Sequence, residues 1–384
     1  MKAGGGPRLT QGPIGQSIRS LMLPMMIGMI ALISYNIADT WFVGQIGTME
    51  LAAISFTFPV AFIVGAITMG FGIGTSSVAA RLFGADKREE VERVTLHAIL
   101  LGVFTGVCVV LLGVSTIDPV FRLLGANDTT LPIIREYMSI YYWGGVFMVM
   151  PMITNSVLRA SGDAKTPAKL MTTAAVINIA LDPILIFGMF GLPELGVRGA
   201  AIATVLANAL TMVASIGVVY FRDKLISFSG LNPKLIFDSW RRILHVGIPS
   251  ITSSLIAPMT TAFITYQVAQ FGQEAVAGFG IASRLEGLSL LALMALSAAT
   301  TPFVGQNYGA RQYQRVEDGL HWCYRFSLIY GVAVAAILAV SSGYIAELFT
   351  DSQAAIDTAT LHMRIVPISY LALGAAMTVN GSFN

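Results

Sequence analysis

Charge is the scarcest commodity in this chain of 384 residues. Lys and Arg number 23 and Asp and Glu 21, together 11% of the sequence, against about 25% in soluble globular proteins. The length alone would allow two or three soluble domains, but so few charges cannot cover several water-facing surfaces. The net charge of +2 is too small to suggest a nucleic-acid partner. Cysteine is nearly absent: Cys108 and Cys323 both lie inside apolar stretches, without the spacing of a metal site or a disulfide framework. Catalytic signatures are missing too. There is no Gly-rich loop ending in Lys-Ser or Lys-Thr, no HExxH and no serine elbow. An enzyme reading has nothing to stand on, and any transport must draw on an ion gradient rather than on ATP.

Apolar sequence is what the chain has in quantity, with 55% hydrophobic residues and a mean hydropathy of +0.73. A membrane span takes about 20 mainly apolar residues. Ten stretches qualify: 19–43, 52–80, 91–117, 132–157, 167–190, 197–221, 243–271, 277–306, 319–347 and 355–381. Barrel strands would be about half as long and alternating, and unpaired backbone cannot face lipid, so these spans are expected to be helices. The fold class that follows is an all-α polytopic membrane protein. The polar tail before residue 19 has no small-residue cleavage site and does not read as a removable leader.

The basic residues set the orientation. On one side fall Lys2, Arg8, Arg19, then Arg81, Lys87, Arg88, Arg93, then Arg159, Lys165, Lys169, then the group from Arg222 to Arg242, and Arg311 and Arg315. The other side holds only Arg122, Arg135 and Arg198. The amino terminus and the polar linker at 222–242 are therefore expected in the cytoplasm.

An internal repeat runs at an offset of 225 residues. Pro24 falls on Pro249, Ala52 on Ala277, Phe83-Gly84-Ala85 on Tyr308-Gly309-Ala310, Val91-Glu92 on Val316-Glu317 and Asn155 on Asn380. The matches include loop glycines and prolines, which generic apolar helices do not share. Six spans separate equivalent points, so the halves have one topology and a pseudo-twofold axis along the membrane normal. The expected domains are an amino-terminal six-helix lobe at 1–221, the cytoplasmic linker at 222–242 and a carboxy-terminal lobe at 243–384 with four helices, ten of twelve in all.

A carboxylate at the bilayer centre costs at least about 2.5–3.5 kcal/mol, so each one invites a functional reading. Asp39 ends the run Tyr35-Asn36-Ile37-Ala38-Asp39, and Asp182 lies in Asn178-Ile179-Ala180-Leu181-Asp182-Pro183. Asn36 shares a helix face with Asp39, and Asn178 with Asp182. Pro183 should bend its helix and free a carbonyl. Two buried carboxylates close together cannot both be charged comfortably, so the pair takes a proton or a hard cation such as Na⁺. The competing reading has Asp39 merely at the outer interface. In the second half Asp39 maps onto Ile264, so the site belongs to the first lobe.

Met22, Met25, Met26 and Met29 form a stripe that continues to Asn36 and Asp39, fitting either helix packing or a pliable cavity for apolar ligands. Gly70, Gly72 and Gly74 fit close helix approach better than nucleotide binding. Arg284 and Glu286 do not face each other on one helix, so each needs an outside partner. His97, His245, His321 and His362 are read as interfacial.

These segments resemble the multidrug and toxic compound extrusion (MATE) family, in its prokaryotic branch. The resemblance rests on Pro24-Met25-Met26 with Tyr35 to Asp39, on Leu158-Arg159-Ala160-Ser161-Gly162-Asp163-Ala164, on Asn178 to Pro183, on Gly199-Ala200-Ala201-Ile202-Ala203-Thr204, and on the paired loops Arg81 to Ala85 and Gly305 to Ala310. It implies a V-shaped pair of six-helix lobes exporting amphipathic, often cationic drugs by cation antiport, in the inner membrane, as a monomer without an organic cofactor. It assigns the cation site to Asp39, Asn178, Asp182 and Thr204, with Asn155 nearby, and a substrate cavity to Met25, Met29, Tyr35, Asn36 and Asn155.

Rival readings are a flippase for lipid-linked sugars, which needs a basic cavity where only Arg284 is available, and a passive channel or membrane scaffold. The major-facilitator loop is absent, its place being taken by Ala85-Asp86-Lys87-Arg88-Glu89.

Overall fold

A computed structural model describes residues 9–228 and 231–383. Every regular element among them is a helix. The first set comprises α1 (Ile14–Ile46), α2 (Thr48–Ser55), α3 (Phe58–Gly84), α4 (Arg88–Leu123), α5 (Thr130–Trp143), α6 (Gly145–Ala160), α7 (Lys165–Ile186) and α8 (Val197–Gly217). The second comprises α9 (Pro233–Ala269), α10 (Gln273–Gly309), α11 (Tyr313–Glu347), α12 (Gln353–Ile365) and α13 (Tyr370–Phe383).

Nine helical stretches among the described residues are long and apolar enough to cross a membrane, α12 and α13 together counting as one. The stretch expected at 132–157 is the pair α5 and α6, interrupted at Gly144, and α6 alone is only 16 residues long. Glycine weakens a helix there, and Val205 of α8 occupies the space a side chain at 144 would need. The linker expected at 222–242 is helical from Pro233 onward. Asn232 accepts from Lys234 N, and proline fills the first helical position, where its missing donor costs nothing.

The start of that linker is pinned. Arg222 donates to Asp163 Oδ2 at 2.7 Å, to Thr166 Oγ1 at 2.8 Å and to the buried Asp223. Asp163 also accepts from Thr166 N at the entrance to α7. Burial raises the Asp163 carboxyl, but the bonds from Thr166 and Arg222 outweigh it and hold the group below its ordinary value.

The internal repeat is visible in the elements themselves. The starts of α2 and α10, of α4 and α11, and of α6 and α13 are each 225 residues apart, as are the ends of α3 and α10. Asp86 and Arg311 hold matching positive φ angles of 58° and 59°. The two copies touch reciprocally. A Cβ on Gly84 would strike the carbonyl of Gln306, and one on Gly309 would strike the carbonyl of Arg81, the repeat equivalent of Gln306. Gly70 lies against Gly247 and Gly74 against the carbonyl of Ile243, so the glycines of α3 serve close helix approach as expected. Helix α1 packs on α10 as α9 packs on α3. The close backbone approaches between the two sets of helices fall within 70–84 of α3, so the bundles are joined at the end that carries Gly84 and Gly309.

That end is sealed by side chains as well. Gln306 Nε2 donates to Ala160 O at 2.7 Å and its Oε1 accepts from Leu9 N at 3.0 Å, while Arg315 donates to the carbonyls of Leu9, Gln11 and Gly12.

Candidate cation site

Helices α1, α7 and α8 pack side by side in the first set. Close contact has local causes. Gly28 of α1 lets Met171 and Ala168 of α7 approach. A Cβ on Gly199 of α8 would meet the carbonyl of Leu185 at 2.5 Å, so only glycine allows α8 to press on the last turn of α7. Helix α7 continues through Pro183 to Ile186, and its end carbonyls are satisfied by Leu195 N and Gly196 N.

This packing brings the sequence-predicted acids into one region. Asp182 is fully buried and Asp39 is half-buried on α1. Asp39 is near enough to act on Asp182 through space, and both act on the phenols of Tyr35 and Tyr137. Asn178, buried one turn before Asp182, donates to Thr204 Oγ1 at 3.3 Å. With its amide turned over, Asn178 instead donates to Asp182 Oδ2 at 3.3 Å and accepts from Thr204 Oγ1 and N. The second assignment gives both amide atoms complementary partners and is preferred.

Two oxygens stay unsatisfied. Oδ1 of Asp39 and Oδ1 of Asp182 are shielded from solvent and accept from no donor. Buried acceptors without partners are costly, and carboxylate, amide and hydroxyl oxygens together suit a hard cation or a proton. Among the described residues, no three or more His, Cys, Asp and Glu gather as a metal cluster; the oxygens here come from two carboxylates and their neutral neighbours.

The cavity candidates divide. Asn155 on α6 is 3% exposed and its Oδ1 has no partner, but no hydrogen bond joins it to the four cation-site residues. Met25 and Met29 lie in a cluster with Leu296, Ala299 and Phe303 of α10, so the lower part of the methionine stripe is helix packing at the seam between the two sets. Asn36 is exposed, and its amide nitrogen bonds back to Leu32 O at 2.8 Å. Tyr35 is half-buried beside the acids.

Sequence reasoning passed over Tyr137. It lies buried on α5, stacked on Tyr141, with its phenol in the field of both acids. The Tyr137–Tyr141 spacing in an apolar helix was the available signal, but nothing in sequence says which helix α5 faces. In the other half, Glu286 finds the outside partner it needed, His362 Nε2 at 3.4 Å, while exposed Arg284 has no ion-pair partner among the described residues. His97 is fully buried, with Nδ1 2.8 Å from Ser239 Oγ, because α9 covers α4 at this level.

Known proteins resemble this chain along its length. The sequence profile of the MatE family matches residues 24–184 and 249–384. The two matched segments begin at the two prolines related by the internal repeat. The FAD transporter of Shewanella oneidensis is 35% identical over 98% of this chain and 83% of its own length. The multidrug export protein MepA of Staphylococcus aureus is 27% identical over 97% of this chain and 81% of its own. Among solved structures, the Vibrio cholerae MATE transporter VcmN in its bent form superposes with a TM-score of 0.89 at 30% identity, covering 96% of this chain and 85% of that one.

Proposed function

The chain belongs to the MatE family, and from that premise we propose that it exports small amphipathic, cationic drug-like molecules by antiport with Na⁺ or H⁺. The observation that carries the coupling is the pair Asp39 and Asp182, each with a buried, unpartnered oxygen, beside Asn178 and Thr204. Two like charges in one low-dielectric pocket repel, so a cation or proton that neutralises one is strongly favoured there. Asp39 stands on α1 and Asp182 on α7. Drawing them together changes the course of α1, the helix whose Met25 and Met29 pack on α10 across the seam. Ion binding at the acids is thereby transmitted to the contact between the two halves. A ligand shifts such an equilibrium only by its differential affinity for the two states, so ion and drug must favour opposite ones.

In this reading the lobes are 1–221 and 243–384, joined by the linker, and the protein is a monomer of the inner membrane that needs no organic cofactor. The excess of basic residues around the sealed end puts that end in the cytoplasm. Drug leaves through the opposite, outer mouth. The test is efflux from proteoliposomes with a proton or a sodium gradient imposed separately. One gradient should drive drug out, and Asp39→Asn or Asp182→Asn should abolish the drive; undiminished ion-driven efflux in both variants would overturn the proposal.

A second reading has a flavin dinucleotide as cargo. It is favoured by the 35% identity to a FAD transporter and by the exposed Arg284, which has no ion-pair partner among the described residues and is suited to a phosphate. Assaying FAD beside a cationic dye in the same vesicles separates the two, and an Arg284→Gln variant should lose FAD export alone.

A further inference from the structure

Two clefts that the acids do not line lie at the starts of α9 and α1. The first, about 480 Å³, runs along the start of α9 and is lined by Phe237, Trp240, Arg241, Leu244, His245 and Ile248. The second, about 600 Å³, runs along the start of α1 between Gly15, Gln16, Arg19, Ser20, Leu23 and Trp322. They are copies of one another. The 225-residue repeat carries Gly15 onto Trp240, Gln16 onto Arg241, Arg19 onto Leu244, Ser20 onto His245 and Leu23 onto Ile248. It also carries His97 onto Trp322.

The indole is supplied from opposite sides. In the first cleft Trp240 of α9 lies over α4, donating to His97 O at 2.8 Å. In the second Trp322 of α11 fills the space that glycine leaves at position 15, where a Cβ would come within 2.6 Å of its Nε1. One large side chain per seam is retained while its donor helix is exchanged.

Each cleft holds an arginine with no carboxylate partner among the described residues. Arg242 is paired with Asp238, but Arg241 has no partner among the described residues. Arg19 sits over the Trp322 ring at 5.8 Å and bonds to Gly15 O, with no carboxylate in ion-pair reach among the described residues. Below these groups the walls are apolar and continue into the exposed faces of α9 and α1, at Ile248 and Leu23. The hydropathy of the sequence places the membrane boundary of these helices near residues 243 and 19, midway along the two clefts. Unneutralised base above, indole at the boundary and an open apolar wall below match the profile of a phospholipid with an anionic head.

We propose that the two clefts are paired binding sites for anionic phospholipid, the phosphate resting on Arg241 in one and on Arg19 in the other. An acyl chain lies along Leu244 and Ile248 in the first and along Leu23 in the second. The second site lies between α1 of the first half and Trp322 of the second, so its lipid sits on a surface that changes when the halves pivot.

Brominated lipid reports contact with an indole directly. With Trp41→Phe and Trp143→Phe removing the other two tryptophans, either Trp240→Phe or Trp322→Phe leaves a single reporter for one cleft. The protein is reconstituted in vesicles containing brominated phosphatidylglycerol or brominated phosphatidylcholine. Half-quenching is expected at about fivefold lower mole fraction of the anionic lipid, the factor one basic side chain confers at a membrane surface. Arg241→Gln should bring that ratio to one for Trp240, and Arg19→Gln should do so for Trp322. Arg241→Lys should keep the preference. If a Gln variant does not reconstitute, 1 M salt on the parent protein must do the same, since the screening length falls to about 3 Å. Equal quenching by the two lipids in the parent, or a preference that survives both the Gln variants and salt, overturns the proposal. Vesicles symmetric in lipid make the result independent of membrane orientation and of transport.

Discussion

A single methyl group at Gly84 or Gly309 should push the two bundles apart where they are joined. Either Cβ would overlap a main-chain carbonyl of the opposing helix, and a carbonyl inside a helix cannot swing aside as a side-chain tip can. Overpacking of this kind costs about 1–3 kcal/mol. Replacing glycine by alanine returns up to about 1 kcal/mol of helix propensity, less at the last residue of a helix, where both glycines stand. The net cost of about 1–2 kcal/mol falls on the joined state alone, which shifts the equilibrium between joined and separated states by about 5- to 30-fold. Spin labels at Lys87→Cys and Gln312→Cys, the repeat-related residues that follow the two contact helices, read this out by pulsed dipolar spectroscopy once Cys108 and Cys323 are replaced by serine. Gly84→Ala and Gly309→Ala should each populate a longer distance, to similar extents, because their contacts are reciprocal. Gly65→Ala and Gly280→Ala, on the same helices with open space around them, should leave the distribution unchanged. If the controls shift it equally, or the contact variants do not shift it, the joined glycines do not hold the bundles together.

Three further outcomes follow from the geometry. Thr204→Ala removes the hydroxyl that bonds Asn178 at 3.3 Å; losing about 1 kcal/mol of hydrogen bonding should raise the ion concentration for half-maximal efflux by about fivefold. Gln306→Ala strands Leu9 N and Ala160 O and should lengthen the same spin-label distance without altering ion affinity. Asp163→Asn should lower the melting temperature at pH 7 by the loss of about 1 kcal/mol of capping and charge-assisted bonding. The folded Asp163 carboxyl is held below its ordinary value, so its stabilisation is complete above the unfolded value of about 4 and is lost as pH falls through the folded one. The gap in melting temperature between parent and variant should close under acid conditions; a gap independent of pH would refute the role given to its charge.

Helical membrane architecture, the twofold repeat and the presence of two intramembrane acids were all legible in sequence, because each is a one-dimensional signal. Lipid admits only backbone that bonds to itself, so apolar run length alone selects helices. The repeat survives as a constant offset in glycines and prolines such as Gly84 and Gly309, where the close contact tolerates nothing larger. Span breaks were not legible: α5 and α6 part at Gly144, which packs on Val205, a residue remote in sequence. Nor was the partner of Glu286, since His362 stands on another helix.

What the amino-acid order determined by itself was which side chains lie in the membrane and on which face of their own helix. Which faces meet was decided only by tertiary packing. The packing of α1 against α7 at Gly28, and of α8 against α7 at Gly199, places Asp39 in range of Asp182 while leaving Asn36, on the same helix, exposed. The same packing adds Tyr137 to the acids and pairs the two seam clefts. Periodicity along one helix carries no information about the neighbour that helix will face, and a pocket built from three helices exists only once their mutual rotations are settled.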